Sequence, residues 1–324
     1  MKIIIFGDEL ISVGDRLGKE GHDVLLYSTS KSTGEGLVKR TKLIQPLTGG
    51  SETDRFLRKH SPDLIICSPK YSLLGISFRE RQLPCFGAGT LPELNGREKL
   101  VNEVLRRFKV ERGESMGVWN GEEFIWKWDW LEESNLIGRD SGIQVGAGAV
   151  GYVGGGGSLS SLIPLLKKHQ YRGFIGIKGN SLTFTFPFSF FEIYLGNLGD
   201  FFLKVSTLQR PEGKLIERTY FTQLLTSLPP FPFGEFYNLK PIKSLLLPIE
   251  REALKHWWLD DVMVEDNLLK CVGNSGRVGV LTSRGGTVKE AVKRLYRTLA
   301  VHQVIPFQYR TDLGFRANKF FGLV

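Results

Sequence analysis

Apolar and polar positions follow two different periods along the chain. The opening run Lys2-Ile3-Ile4-Ile5-Phe6 is continuously apolar after its lysine, which predicts a strand buried on both faces. After Gly7-Asp8 the apolar positions fall at Leu10, Val13 and Leu17, the spacing of an amphipathic helix, and Gly21 ends it. A second strand follows at Asp23–Tyr27, then a polar loop at 28–36. Helical patterns near 52–60 and 73–82 alternate with strands at Leu64–Cys67 and Pro84-Cys85-Phe86. Strand–helix alternation predicts a parallel sheet covered on both faces. The first strand-to-helix turn of such a sheet is a natural place for an anionic ligand.

The pattern changes in the second part. Residues 96–108 are helical with a basic outer face, whereas 116–130 alternate in period two through Trp119, Trp126 and Trp128 and turn at Asn120-Gly121, a hairpin signal. The stretch 138–157 holds nine glycines and reads as a loop system. Leu159–His169 reads as a helix, 171–188 as two strands around Gly179-Asn180, and the proline- and aromatic-rich 228–241 as a connector. Strand-like runs follow at 243–247, 262–264, 268–272 and 277–282, and a helix at 287–302. The expected fold class is α/β, an N-terminal doubly wound parallel sheet followed by an α+β body, with segments 1–95, 96–227 and 228–324 as domains.

Composition narrows the function classes. The chain has 324 residues, 41% hydrophobic and 24% charged, which excludes disordered, collagen-like and coiled-coil architectures. No apolar run approaches the ~20 residues of a membrane span, and the opening segment is too short for a secretory signal. Cys67, Cys85 and Cys271 are odd in number and far apart, and read as buried thiols of a reducing compartment. A cytoplasmic location without membrane contact is expected. The formal net charge of +9 favours anionic ligands: nucleotides, phosphorylated sugars or nucleic acid. The basic residues form no block of five or six, so no motif supports the nucleic-acid alternative.

Few motifs carry chemistry. Gly146, Gly148 and Gly151 form a literal Gly-x-Gly-x-x-Gly, but it runs into Gly154–Gly157 instead of a helix. Two readings stand: a loop whose backbone N–H groups cradle an anion, or a glycine-rich linker. His22, His60, His169, His256 and His302 show no metal-ligand spacing. Asp260, Asp261, Glu265 and Asp266 read as a solvated acidic turn, and Trp257-Trp258 as packing.

The C-terminal stretch brings a family into view. Asn274-Ser275-Gly276-Arg277-Val278-Gly279-Val280-Leu281 leads through Gly285-Gly286-Thr287, Glu290-Ala291 and Tyr296 to Tyr309-Arg310-Thr311-Asp312-Leu313-Gly314-Phe315-Arg316. This resembles the end of phosphoribosylamine–glycine ligases (GAR synthetases), ATP-grasp enzymes of purine synthesis, in which a Gly-Gly-Arg-Val-Leu strand, an Ala-Tyr helix and an Arg-x-Asp-Ile-Gly terminus occur in this order. Earlier parts follow suit: the first strand with Gly7, Ser68-Pro69, Phe86-Gly87, Gly121-Glu122-Glu123-Phe124, Gly142–Gly148 and Tyr171-Arg172-Gly173-Phe174. The resemblance implies a phosphate-binding set of Gly146, Gly148, Arg277, Arg310, Asp312 and Arg316.

Departures from the family pattern shape the functional expectation. About ten residues after Phe108 stand where the family has the subdomain that clamps ATP, fewer than the ~30 of one βαβ unit. The family's Glu-Phe-Asn-x-Arg-Phe-Gly-Asp is here Thr185-Phe186-Pro187-Phe188-Ser189-Phe190-Phe191-Glu192, which replaces both magnesium ligands and the arginine. The first strand-to-helix turn carries Asp8-Glu9-Leu10-Ile11, acidic where a phosphate would sit. The expectation is a truncated ATP-grasp-like protein with no catalytic residue, no metal site and no cofactor; Mg·ATP enters only if this degenerate reading is wrong. It would bind a protein partner, itself, or a phosphorylated sugar or nucleotide, with the aromatic segment Phe184–Phe191 either a partner face or a core strand. The alternatives are a purine-pathway ligase or related enzyme completed by a partner chain, and a nucleic-acid-associated basic protein.

Overall fold

The structure is a computed structural model that describes residues 1–29, 32–43, 50–94, 98–137, 143–154, 159–228, 243–249, 253–274, 276–301 and 307–322. Strands β1 (Lys2–Phe6), β2 (Asp23–Ser28), β3 (Arg40–Leu43), β4 (Leu64–Cys67) and β5 (Cys85–Phe86) form a sheet of order β3-β2-β1-β4-β5, parallel throughout. Ile3 and Ile5 pack with Leu10, Val13 and Leu17 on one face, while Ile4 and Phe6 pack with Phe78 on the other. The unbroken apolar run of β1 is thus consumed by two covered faces. Helix α1 (Ile11–Lys19) lies on the first face, and α2 (Gly50–His60) and α3 (Ser72–Arg79) belong to the second.

Helix α4 (Glu98–Arg107) is followed after residues 108–112 by β6 (Gly113–Trp119). Asn120 closes the next turn, its Oδ1 accepting from Glu122 N and Glu123 N, both at 2.9 Å. Then come β7 (Phe124–Ile137), β8 (Ile143–Tyr152), α5 (Ile163–Lys168), β9 (Gly173–Gly179) and β10 (Ser181–Thr183). A small pair, β11 (Tyr194–Leu195) and β12 (Lys214–Leu215), flanks α6 (Leu198–Ser206). The chain continues through β13 (Tyr220–Ser227), β14 (Trp257–Leu259), the paired β15 (Val262–Glu265) and β16 (Leu268–Cys271), and β17 (Arg277–Gly285). The second sheet is antiparallel, eight strands in the order β10-β9-β6-β7-β8-β13-β17-β14, so it draws strands from both sides of residue 228.

Helix α7 (Val288–Ala300) returns along β17. Thr287 Oγ1 caps the helix by accepting from Glu290 N at 3.1 Å, and Glu290 Oε2 accepts from Gly286 N, just before the cap, at 2.8 Å. Helix α8 (Phe315–Phe320) ends the described chain. One apolar cluster runs through both sheets, and Ser12 Oγ accepts from Leu259 N at 2.5 Å across the junction.

Several expectations are corrected here. The glycine-rich stretch is no loop system at its centre: β8 runs through it, deep inside the antiparallel sheet. A Cβ on Gly151 would sit 2.3 Å from Phe221 Cζ, so glycine is required there by the ring on the neighbouring strand. Gly155–Gly157 and the connector 229–241 lie outside the described residues. The segment Phe184–Phe191 is core, with Phe184, Phe186, Phe188 and Phe190 buried and Phe190 stacked on Trp128. Trp257 and Trp258 are buried, and all three cysteines are buried free thiols.

Candidate functional site

Residues of five strands of the antiparallel sheet line a cleft of about 230 Å³. Glu132 of β7, Gly148 of β8, Lys178 of β9, Gln223 of β13 and Arg277 of β17 meet there beside Thr185. Two of the residues expected from sequence, Gly148 and Arg277, therefore share a site although they are far apart in the chain.

The charges in this cleft are already matched. Glu132 accepts from Lys178 Nζ at 3.1 Å and from Thr183 Oγ1 at 2.8 Å, and Thr185 Oγ1 lies 3.1 Å from Thr183 Oγ1. Ser189 donates through both N and Oγ to Gln223 Oε1 at 3.3 Å. Arg277 stands 3.1 Å from Asp260, whose carboxyl is raised above its ordinary value by burial, with Arg277 pulling the other way.

Arg310 and Asp312 serve a different purpose. Arg310 is 4% exposed and pairs with buried Glu133 at 3.2 Å and with Asp312 at 2.8 Å. Glu133 also accepts from Gly314 N at 3.3 Å and Ala317 N at 3.1 Å, and Tyr296 Oη donates to Arg310 O at 2.8 Å. Burial pushes the Glu133 carboxyl up, while Arg310 and these two N–H groups pull it back. The Arg-x-Asp-x-Gly terminus is a clamp that docks α8 on β7, with Gly314 at φ 93° making the turn. Its arginine is engaged inside the protein. Arg316 is exposed and lines a separate depression with Glu114 and Phe315. Gly146 lies on β8 opposite Asn135, in a strand ladder where the sequence suggested an anion loop.

At the first strand-to-helix turn Asp8 accepts from Thr29 N at 2.8 Å and Thr29 Oγ1 at 2.5 Å. A Cβ on Gly7 would stand 2.6 Å from Ser68 Cβ, so the ends of β1 and β4 close over this turn. Burial raises the half-buried Glu9 carboxyl, and Asp260 adds to the rise. Asp260 and Asp261 are buried, not members of a solvated turn: Asp261 accepts from Asn274 N at 2.6 Å and from Asn274 Nδ2 at 2.9 Å.

Sequence reasoning missed Glu132, Glu133 and Lys178. The available signal was a pair of acids set in the apolar pattern Trp128-Asp129-Trp130-Leu131, where adjacent residues must face opposite sides of the sheet. Mg²⁺ wants several hard oxygen donors, usually carboxylates, in near-octahedral array. Here Thr185 and Pro187 stand at the positions the resemblance assigns to its ligands, and the neighbouring Glu132 already carries the Lys178 ammonium. These residues do not fit a magnesium ion.

No protein-family model matches the sequence, and no curated protein matches it. Solved structures do match. Phosphoribosylamine–glycine ligase from Thermotoga maritima aligns with a TM-score of 0.59 and 14% identity, over 96% of this chain and 98% of that one. Phosphoribosylglycinamide synthetase from Anaerococcus prevotii aligns with a TM-score of 0.56 and 9% identity, over 95% and 99%. Kluyveromyces lactis urea carboxylase gives 0.56 and 10% identity, over 97% of this chain and 31% of that much longer one. The chain shares the fold of these GAR synthetase structures. Among the described residues no helix is long and apolar enough to cross a membrane.

Proposed function

We propose that this chain is a catalytically degenerate relative of phosphoribosylamine–glycine ligase that works by binding and not by ATP-dependent ligation. The observation that carries this reading is the Lys178–Glu132 pair: a protein cation occupies the carboxylate beside Thr185, on the face where the resemblance places magnesium. A transferred phosphoryl group needs its growing charge balanced by metal ions or a cationic clamp. In this cleft Lys178, Arg277 and the adjoining Arg310 each already face a carboxylate. The link 108–112 between α4 and β6 supports the same reading, being too short for a clamping subdomain.

What the cleft retains is Arg277, half-exposed and oriented by Asp260. A phosphorylated sugar or nucleotide is the small-molecule ligand it suits, through charge-assisted hydrogen bonds to guanidinium. Titration calorimetry with ADP, with and without Mg²⁺, tests the proposal. Binding that is indifferent to Mg²⁺, or absent, agrees with it; a Mg²⁺-dependent gain of tenfold or more in affinity would overturn it.

A further inference from the structure

A second concavity opens at the far end of β17, on the flank of α7. Its volume is about 560 Å³, and Lys255, His256, Arg284 and Arg297 contribute cationic or potentially cationic side chains to its lining. It shares no lining residue with the ligase cleft. We propose that this pocket is a binding site for a phosphorylated small molecule.

Arg294 also lines the pocket, but it is paired with Glu290 at 2.5 Å. Among the described residues no carboxylate lies within ion-pairing distance of Lys255, Arg284 or Arg297. Like charges gathered around one concavity repel each other, and a concave wall concentrates their field, so an anion is favoured at its centre.

The acid in the wall, Glu192, is committed: it accepts from Thr282 Oγ1 at 2.5 Å and lies 3.0 Å from His256 Nδ1. Burial opposes ionisation of Glu192, but the bonds from His256 and Thr282 and the nearby Arg16 outweigh it and hold its carboxyl below the ordinary value. An ionised Glu192 can only accept, so the proton of this bond sits on His256 Nδ1. His256 Nε2 has no hydrogen-bond partner among the described residues. Thr282 Oγ1 donates to Glu192 and lies 3.0 Å from His256 O, so strand, acid and histidine meet in one wall. Phe191 and Leu195, the latter 59% exposed, supply an apolar end. Cations at one side and apolar surface at the other suit a phosphate ester with an apolar or aromatic group.

The inference stands apart from the proposed loss of ligation, since it uses no residue of the ligase cleft. Calorimetric titrations with AMP and with inorganic pyrophosphate, at low and at physiological salt, test it on the full chain. A saturable site is expected in this pocket, its affinity at least tenfold weaker in the double variant Arg284→Ala, Arg297→Ala and unchanged in Arg58→Ala, an exposed arginine that lines neither cleft. AMP binding stronger than that of ribose 5-phosphate is expected from the apolar end. Circular dichroism melts show whether each variant is folded, and Lys255→Ala, on an exposed side chain, gives a second route if the double variant is not. Binding lost in Arg277→Ala but kept in the pocket variants would place the ligand in the other cleft and overturn the proposal. Absence of saturable binding in the wild type would overturn it equally.

Discussion

Arg310 and Glu133 are the residues on which the C-terminal docking depends. Both are buried, and removing one partner leaves a charge without compensation, a loss of about 3–5 kcal/mol in comparable sites. Arg310→Met is therefore expected to lower stability by about that amount in urea unfolding at pH 7, and a change below about 1 kcal/mol would show the clamp to be dispensable. Glu9 behaves in the opposite sense. Its folded-state value lies above the ordinary 4.5, so the folded protein holds that proton more tightly than the unfolded chain does. The linked stability is then greatest at low pH and declines as pH rises through the raised value. Glu9→Gln, which cannot ionise, should melt higher than wild type at pH 7.5, with the difference gone below about pH 4, where both forms are uncharged. An equal difference at both pH values would contradict this. At this scale the sequence was only partly legible. The C-terminal motif and the glycine motif marked Arg277 and Gly148, which the structure brings into one cleft. Arg310 was found for a role it does not have the freedom to play, because a motif names a residue and not its partner. Glu133, the partner, lies 177 positions earlier.

Among elements, β8 separates local composition from tertiary demand. Glycine weakens an isolated strand by entropy and by lack of side-chain contact, so nine glycines in twenty positions read as loop. In the folded sheet Gly151 gives room to the Phe221 ring and Gly148 approaches Gln223 O, where a Cβ would sit 3.0 Å away. Gly151→Ala should cost about 1–3 kcal/mol through overpacking against a rigid ring, read as a fall in urea midpoint with unchanged slope. Wild-type stability in this variant would mean that β8 does not pack as described. By contrast β1, β2, β4, the Asn120-Gly121 hairpin and α7 were legible. In these elements pattern and burial agree: alternating or continuous apolar runs, Oδ1 of Asn120 closing the turn, and Thr287 with Glu290 capping the helix. The acidic turn at 260–261 was misread because nothing local reveals that Arg277 and Asn274 fold back over it.

At the scale of the whole molecule, the pair of sheets follows the fold of GAR-synthetase structures, while the charged side chains of the cleft pair with one another. The overall order of parts matches GAR-synthetase-like structures at 9–14% identity, a level at which fold persists and side-chain roles need not. The ion pairs Lys178–Glu132, Arg310–Glu133 and Arg277–Asp260 gather around one cleft of the sheet, while Arg284, at the other end of β17, faces the second pocket with no ion-pair partner among the described residues. The net charge of +9 fits an anionic ligand without choosing its seat. Measured with freshly formed phosphoribosylamine, glycine and Mg·ATP, ADP release is the direct test of the central claim. The account predicts a rate at the no-enzyme background, unchanged by Lys178→Ala. Release that requires both phosphoribosylamine and glycine and turns over many times per protein would contradict it.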